Sequence, residues 1–274
     1  MKPRCSKSGL NTICGYSWEL DAALEAGILE RTDDMDFSSS AYADLGSLIH
    51  NQLQVQLGCV MQSRLDEALE PMYENATALF KDRAALDEAI QNAVNHAISI
   101  FPAANDGLAW VAEPADELED LTGHLDFESQ NQLEIVDLKT TARKPDNGRM
   151  KPLHLYQLVS YWELRGKKAK TGRILYLDSL KGGWAIMTDP VEFDNPAVQK
   201  FAEGMKAKRK ELLSGAKQFP VPGDHCKSGF CSFRNSKACY NSIVPVGGQL
   251  YVAKGHEKRG EFESPTPSKK VKLW

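Results

Sequence analysis

Apolar positions in the first part of the chain follow the spacing of amphipathic helices. Between residues 43 and 101, side chains such as Leu48, Ile49 and Leu53 recur three and four positions apart, which predicts helices with one buried face. Pro71 is expected to divide this region into two arms and Pro102 to end it, because proline cannot continue a helix. Similar patterns predict further helices at residues 17–30, 153–164 and 196–213.

Short apolar runs bounded by turn-forming residues predict strands after this helical region. The predicted strands cover residues 108–112, 122–128, 133–140, 172–178, 184–193 and 247–252. The fourth and fifth are expected to form a hairpin around Lys181, Gly182 and Gly183. An order of helices, strands, a helix and more strands predicts an α/β fold in which helices cover a sheet.

Two carboxylates and a lysine fall on neighbouring predicted strands. Asp126 lies near the end of one strand, and Asp137, Leu138 and Lys139 lie in the next. Side chains at positions i and i+2 of a strand share a face, so Asp137 and Lys139 project together. A hairpin across residues 129–132 places Asp126 beside Asp137. Carboxylate oxygens suit Mg²⁺ or Mn²⁺, so the pattern predicts a divalent metal site beside a fixed ammonium, suited to phosphodiester hydrolysis.

An alternative is that these charged residues have no catalytic role. They would then lie on a solvated hairpin and form ion pairs across its strands. The Asp-x-Lys pattern is too common to distinguish the two by itself. Residues in two predicted helices favour the metal site. Gly46 precedes His50 by four positions, and Gln157 and Tyr161 have the same spacing, so each pair shares a helix face.

Taken in chain order, these residues resemble the motifs of the PD-(D/E)XK nuclease superfamily. The resemblance is closest to its RecB-type branch, which includes nucleases of CRISPR adaptation and many phage exonucleases. That branch has a G-x-x-x-H helix, a G-x-x-D strand, a (D/E)-x-K strand and a Q-x-x-x-Y helix. The match runs from Gly46 to Tyr161, and by extension to about Phe193. It implies a restriction-endonuclease-like core, in which helices flank a central mixed sheet.

The resemblance also implies a ligand set for Mg²⁺ or Mn²⁺. His50, Asp126 and Asp137 would hold the metal, and the backbone carbonyl of Leu138 would be a further ligand. Glu113 stands where the family often has an acidic residue and is a candidate for an additional ligand.

Catalytic roles follow from the same resemblance. Lys139 would act on the attacking water or on the phosphate, while Gln157 and Tyr161 would position DNA or the lysine. The catalytic set is therefore expected to comprise Asp126, Asp137, Lys139, Gln157 and Tyr161.

The distribution of charge changes this picture more than the total does. The net charge of −4 is unusual for a DNA-binding protein, whose footprint is typically basic. Basic residues nevertheless follow Lys139 directly, and we expect them to contact DNA phosphates. They are Arg143, Lys144, Arg149 and Lys151.

Composition indicates a globular protein outside the membrane. The chain has 274 residues, of which 42% are hydrophobic and 26% charged. No apolar run reaches the length of a membrane span, and the basic start is not followed by the apolar segment of a secretory signal. We therefore expect a cytoplasmic location, in a bacterial or phage-infected cell.

Three of the six cysteines crowd into a short C-terminal segment, at Cys226, Cys231 and Cys239. In a cytosolic protein such a group favours metal over disulfides. Some RecB-type nucleases join three late cysteines and one early one around a [4Fe–4S] cluster, which implies Cys14 as the fourth ligand. The C-x4-C-x7-C spacing departs from the more frequent C-x2-C-x5-C. A zinc site that includes His225 and a set of reduced loop cysteines therefore remain open alternatives.

Four parts of the chain are predicted. Residues 1–40 form an N-terminal helical segment that contributes to a cysteine-rich clip, residues 41–219 form the nuclease core, and residues 220–245 complete the clip. Residues 255–274 form a Pro/Ser-rich, basic tail that is expected to be disordered.

The functional expectation is a metal-dependent deoxyribonuclease, in particular an exonuclease, acting in recombination, repair or phage DNA processing. Its partner is DNA, single- or double-stranded. No phosphate-binding loop of the helicase type is present, so unwinding would require a helicase or recombination protein. A catalytically silent DNA-binding subunit, an RNA-directed nuclease and a small metal-binding interaction protein are the alternatives.

Overall fold

The computed structural model describes two compact units, one of residues 39–204 and one of residues 1–38 with 205–274. Within these units it describes residues 5–6, 14–25, 27, 30–31, 40–59, 66–101, 110–112, 115–118, 121–145, 149–214, 231–233, 239, 243–246 and 249–252. The domain boundaries predicted above stay predictions. The predicted tail at residues 255–274 and Glu113 lie outside the described residues.

Helices α2 (Ala41–Gln56), α3 (Asp66–Thr77) and α4 (Arg83–Ile100) form the helical region of the first unit. The side chains of Ser40 and Asp82 cap α2 and α4 by accepting hydrogen bonds from backbone N–H groups. The prediction of two arms divided at Pro71 is wrong, because Pro71 lies inside α3. One break follows α2, where Gly58 adopts a positive φ, and another precedes the Asp82 cap.

A mixed sheet forms the centre of the same unit. Its strands are β2 (Trp110–Ala112), β5 (Phe127–Ser129), β6 (Glu134–Thr141), β7 (Thr171–Asp178) and β8 (Ala185–Met187), in that spatial order, and β9 (Val191–Glu192) also pairs with β7. Strands β6 and β7 are parallel, and the other pairs are antiparallel. Helix α5 (Pro152–Leu164) forms the crossover connection between the parallel strands β6 and β7.

The predicted strand at residues 122–128 divides in two. Its first part is β4 (Leu121–His124), which pairs with β3 (Ala115–Glu117), and its second part is β5. The chain changes partners at Leu125 and Asp126, between these strands. The predicted mixed sheet flanked by helices is thus confirmed, and Asp126 lies at the bend that starts β5.

The two faces of β6 carry different residues. Val136 and Leu138 enter the apolar core formed with α2 and α4, together with Leu175 and Leu177 of β7. Asp137 and Lys139 alternate with these residues and therefore project from the opposite face. Helix α5 packs against β6 and β7 as well as β4. Its C-terminal end is tied to β5 by a bidentate ion pair, with Arg165 Nε and Nη2 at 3.0 and 2.7 Å from the buried Glu128 carboxylate.

The second unit contains helix α1 (Gly15–Glu25), the later turns of α6 (Pro196–Leu213), and the antiparallel hairpin of β10 (Ile243–Val246) and β11 (Gln249–Val252). Strand β1 (Cys5–Ser6) also belongs to its residue range. Trp18 of α1 packs on Leu212 of α6. Leu20 packs with Cys231, Phe233 and Cys239 in a small apolar cluster. None of the described helices is both long and apolar enough to cross a membrane.

Gly182, in the β7–β8 turn, provides a test of this fold. It has a φ of +59°, and a Cβ placed on it would lie 2.5 Å from the backbone nitrogen of Ala93 in α4. We expect Gly182→Ala to lower the free energy of unfolding by more than about 2 kcal/mol, since left-handed backbone alone costs roughly 1–2 kcal/mol and overpacking adds to it. Gly166 has a similar φ of +66° with nothing within 4 Å, so Gly166→Ala isolates the backbone cost. If urea denaturation showed that both variants lose the same free energy of unfolding, the close contact between the β7–β8 turn and α4 would be contradicted.

Candidate active site

Strand β6 presents the predicted Asp-x-Lys pair as expected from its alternation. Asp137 and Lys139 share a face, and Lys139 Nζ lies 2.6 Å from Asp137 Oδ2. Leu138 points the other way into the apolar core. The parallel partner strand β7 sets Ile174 beside Asp137 and Tyr176 beside Lys139. The sequence prediction that these charged groups project together therefore agrees with the structure.

Asp137 is a carboxylate placed in an unfavourable environment. Its side chain has no solvent exposure. Neither of its oxygens makes a hydrogen bond of regular geometry within the described residues. Burial raises the pKa of Asp137, and the nearby charge of Lys139 opposes this rise. A buried carboxylate beside a second carboxylate is suited to bind a cation.

The ammonium of Lys139 lies against two of the predicted metal ligands. Besides its 2.6 Å approach to Asp137 Oδ2, Nζ donates a hydrogen bond of 3.1 Å to the carbonyl oxygen of Leu138. Burial by itself would lower the pKa of Lys139, but the charges of Asp137 and Asp126 outweigh it, so the pKa is raised. Lys139 is thus held as a cation beside these oxygens.

Asp126 is fixed by the backbone of β6. Its Oδ2 accepts a 2.8 Å hydrogen bond from the N–H of Leu138. Its charge also contributes to the raised pKa of Asp137, which indicates that the two carboxylates are neighbours. The antiparallel pairing of β5 and β6 explains this placement, because it starts directly after Asp126.

His50 reaches the cluster from α2. Its Nε2 lies 3.7 Å from Asp126 Oδ1 and 3.3 Å from the side-chain nitrogen of Gln54, one helical turn further along. Its ring packs edge-on against Phe127 at 5.6 Å between ring centroids. An amide nitrogen can only donate, so Nε2 accepts this hydrogen bond with its single lone pair. Gln54 was not predicted, although its i+4 spacing from His50 was visible.

Gly46 allows α2 to approach β6 closely. A Cβ on Gly46 would lie 2.7 Å from Oγ1 of Thr140, the residue after Lys139. The predicted G-x-x-x-H pattern therefore has a packing reason. The glycine lets the helix come near the strand, and His50 follows one turn later on the same helix face.

Helix α5 contributes from the other face of the sheet. Tyr161 is fully buried, whereas Gln157 is partly exposed. Full burial means that Tyr161 can act on DNA only through other protein groups. Sequence reasoning missed His154, whose Nδ1 lies 2.7 Å from the hydroxyl of Tyr176. Tyr176 could have been found only from the register of β6 with β7.

The predicted basic residues lie in the segment between β6 and α5. Arg143, Lys144, Arg149 and Lys151 are all exposed. The backbone N–H of Lys151 donates to the Tyr176 hydroxyl at 3.1 Å, which brings the end of this segment next to the site. Their contact with DNA stays a prediction.

The predicted cysteine ligands are only partly described. Cys14, Cys231 and Cys239 are buried, while Cys226 and His225 lie outside the described residues. In the described part of the chain, no three His, Cys, Asp or Glu side chains are grouped as they would be around a metal ion. At the acidic pair, the Lys139 ammonium is the cation in contact with Asp137.

A mixed sheet with two acidic residues and a lysine on adjacent strands is typical of a class of hydrolases, and comparison with known families agrees. The model of the PD-(D/E)XK nuclease superfamily matches residues 5–236. This chain therefore belongs to the PD-(D/E)XK nuclease superfamily.

Solved structures resemble the chain more weakly. A candidate exonuclease from Eubacterium rectale is 15% identical, with a TM-score of 0.49 over 83% of this chain and 88% of that one. An alkaline exonuclease from Laribacter hongkongensis is 11% identical, with a TM-score of 0.34 over 60% of this chain and 87% of that one. No curated protein matches the chain.

The contact between Gly46 and Thr140 gives a test of the site's assembly. Gly46→Ala should cost about 1–3 kcal/mol of stability through overpacking and should lower any activity that depends on His50, because α2 must move from β6. Adding Thr140→Ala removes the clashing Oγ1 and should restore both properties. Gly204, in an exposed helical position with nothing within 4 Å, is the matched control. Gly204→Ala should be neutral or stabilising by about 0.5–1 kcal/mol. If Gly46→Ala and Gly204→Ala had equal melting temperatures, the close approach of α2 to β6 would be refuted.

Proposed function

We propose that this protein is a metal-dependent deoxyribonuclease that hydrolyses DNA phosphodiester bonds, acting as an exonuclease. Family membership supports phosphodiester hydrolysis. The observation that carries the proposal is the buried carboxylate of Asp137, which has no regular hydrogen bond within the described residues and adjoins Asp126 and Lys139. A structural ion pair would not require a second carboxylate at the same position.

The donor groups at this site fit Mg²⁺ or Mn²⁺. Asp126, Asp137 and the Leu138 carbonyl would supply oxygens, and Nε2 of His50, which accepts a hydrogen bond from Gln54 in this structure, would supply an imidazole nitrogen. Hard divalent cations favour such oxygen donors, and Mn²⁺ tolerates imidazole well. Glu113 is proposed as an additional acidic ligand, as its sequence position suggests.

The groups of the chain have separable roles in the proposed reaction. When bound, a divalent cation supplies Lewis acidity and lowers the pKa of a coordinated water. The Leu138 N–H holds Asp126 in one orientation, so that Oδ1 faces the site. Asp137 and the Leu138 carbonyl, which now contact Lys139, would hold the cation, and this would displace the ammonium from both oxygens. The Lys139 ammonium would then neutralise charge that develops on the phosphate or orient the attacking water. Gln157 and Tyr161 are proposed to position DNA or the lysine.

DNA is the proposed substrate, in recombination, repair or phage DNA processing, with a helicase or recombination protein as partner. Exposed Arg143, Lys144, Arg149 and Lys151 would contact its backbone. The presence of both carboxylates and the lysine favours an enzyme over a silent DNA-binding subunit. An RNA-directed nuclease is the second possibility for the same site.

Incubation of labelled linear and circular DNA and RNA with Mg²⁺ or Mn²⁺ distinguishes these two functions. Cleavage of linear but not circular DNA supports the exonuclease, and no cleavage of any substrate rejects the proposal.

The cysteine site is a separate proposal. Cys14, Cys231 and Cys239 belong to the same unit and are buried, which is compatible with a [4Fe–4S] cluster or zinc bound together with Cys226 or His225. The identity of this metal stays a prediction from the sequence.

Lys139→Ala separates catalysis from metal binding. We expect cleavage to fall by roughly 100-fold or more, as for the loss of a group that stabilises transition-state charge. Binding of Mn²⁺, measured by electron paramagnetic resonance, should be as tight as in the wild type or tighter, because Nζ no longer competes for Asp137 Oδ2 and the Leu138 carbonyl. Lys168→Ala is the control, since the Lys168 ammonium is exposed and donates a hydrogen bond to the Gln132 side chain on the surface. Wild-type cleavage by Lys139→Ala would remove the lysine from the mechanism, and weaker Mn²⁺ binding would contradict the displacement.

His50→Ala tests the imidazole ligand. We expect most cleavage to be lost at low metal concentration and partly recovered at high Mn²⁺, because one of several ligands is missing. His96→Ala is the matched control on another helix, where the exposed His96 ring forms a hydrogen bond with the backbone carbonyl of Asn92. If His50→Ala lowered the melting temperature but left the metal dependence of cleavage unchanged, His50 would be a packing residue instead.

A further inference from the structure

A second histidine, His154 of α5, lies against Tyr176 of β7. Its Nδ1 is 2.7 Å from the Tyr176 hydroxyl, and the two rings are tilted by 40° with centroids 5.4 Å apart. Tyr176 is the register partner of Lys139, so these two side chains emerge next to each other on the same face. The proposed reaction as described above uses neither ring.

The hydrogen bonds of Tyr176 favour one tautomer of His154. The Tyr176 oxygen accepts a hydrogen bond from the backbone N–H of Lys151, and a backbone N–H can only donate. The hydroxyl has a single proton, which it can donate to His154 Nδ1 at 2.7 Å. In this arrangement Nδ1 accepts, and the proton of the neutral imidazole is on Nε2.

The surroundings of His154 favour this neutral form. Burial, together with the charges of Lys139 and Lys151, lowers the pKa of His154 to about 3. A ring of this kind does not exchange protons near neutral pH, so it is unsuited to general acid or base catalysis.

In this tautomer the Nε2–H group can donate a hydrogen bond to a ligand. Within the described residues, Tyr176 is the hydrogen-bond partner that the structure shows for this ring, and the ring is only partly buried. The charges that lower its pKa are the ammonium groups of Lys139 and Lys151. A donor next to two cations is suited to an anionic oxygen.

Building on the proposed function, we propose that His154 binds a phosphate oxygen of the DNA strand through its Nε2–H, and that Tyr176 is a positioning residue that holds this ring in the donor tautomer. Lys139 and His154 then contact the same segment of the DNA backbone from two sides. The pair orients DNA relative to the acidic residues without any change in its own protonation.

Kinetics provide the first test. We expect His154→Ala to lower kcat/KM for linear DNA by roughly 10- to 100-fold, the usual range for loss of a hydrogen bond to a charged group. His154→Gln should recover most of this loss, because its amide nitrogen reaches the position of Nε2 and can donate. His96→Ala should match the wild type. Tyr176→Phe should give a smaller loss than His154→Ala.

Histidine NMR provides a test that does not depend on cleavage. In full-length protein with ¹⁵N-labelled histidine, His154 should show the shifts of a neutral ring protonated at Nε2, and Tyr176→Phe should abolish that preference. Addition of a short DNA duplex in metal-free buffer should shift the Nε2–H signal of His154 and leave that of His96 unchanged.

The outcomes separate this inference from the proposed function. Wild-type kinetics in His154→Ala, or a His154 signal that DNA leaves unchanged, would overturn the phosphate contact. Equal losses in His154→Ala and His154→Gln, with equally lowered melting temperatures, would also overturn it and indicate a structural role. A wild-type protein that cleaves no nucleic acid rejects the nuclease proposal, while the DNA-dependent NMR shift still decides whether His154 binds phosphate.

Discussion

The buried carboxylate of Asp137 is the constraint around which the site is arranged. A carboxylate without solvent and without regular hydrogen bonds is costly in a folded protein, and burial raises its pKa accordingly. The neighbouring Lys139 offsets part of this cost, but such a buried pair stabilises a fold weakly at best. A sequence that keeps two acidic groups and a lysine on adjacent strands therefore maintains an arrangement that stability alone does not favour.

Strand β6 makes this arrangement possible by separating packing from chemistry. Val136 and Leu138 pack into the core under α2 and α4, while Asp137 and Lys139 alternate with them on the other face. The backbone of the same strand also takes part, since the Leu138 N–H binds Asp126 and its carbonyl binds Lys139. One short strand thus connects the hydrophobic core to all three charged residues.

Helices from both faces of the sheet complete the site, and each depends on a close contact. On one face, Gly46 permits the approach that brings His50 to Asp126. On the other, the hydroxyl of Tyr176 links the start of α5 to β7 through Lys151 and His154. The Arg165–Glu128 ion pair fixes the opposite end of α5 to β5. The position of α5 is therefore set at both ends by polar contacts.

The sequence by itself determined the α/β class, the strand that carries Asp137 and Lys139, and the pairing with Asp126 across the hairpin at residues 129–132. These features depend on local alternation and turns, which are encoded by neighbouring residues. Helix boundaries were less certain, because Pro71 is tolerated inside α3 when the rest of the helix is packed.

Only the tertiary structure decided which distant groups join the site. The parallel register of β6 and β7 brings Tyr176 beside Lys139, although many residues separate them in the chain. The fully buried state of Tyr161 and the orientation of His154 likewise depend on how α5 packs on the sheet. Register and helix packing are set by the summed burial of many side chains, so no local pattern in the sequence could have predicted these contacts.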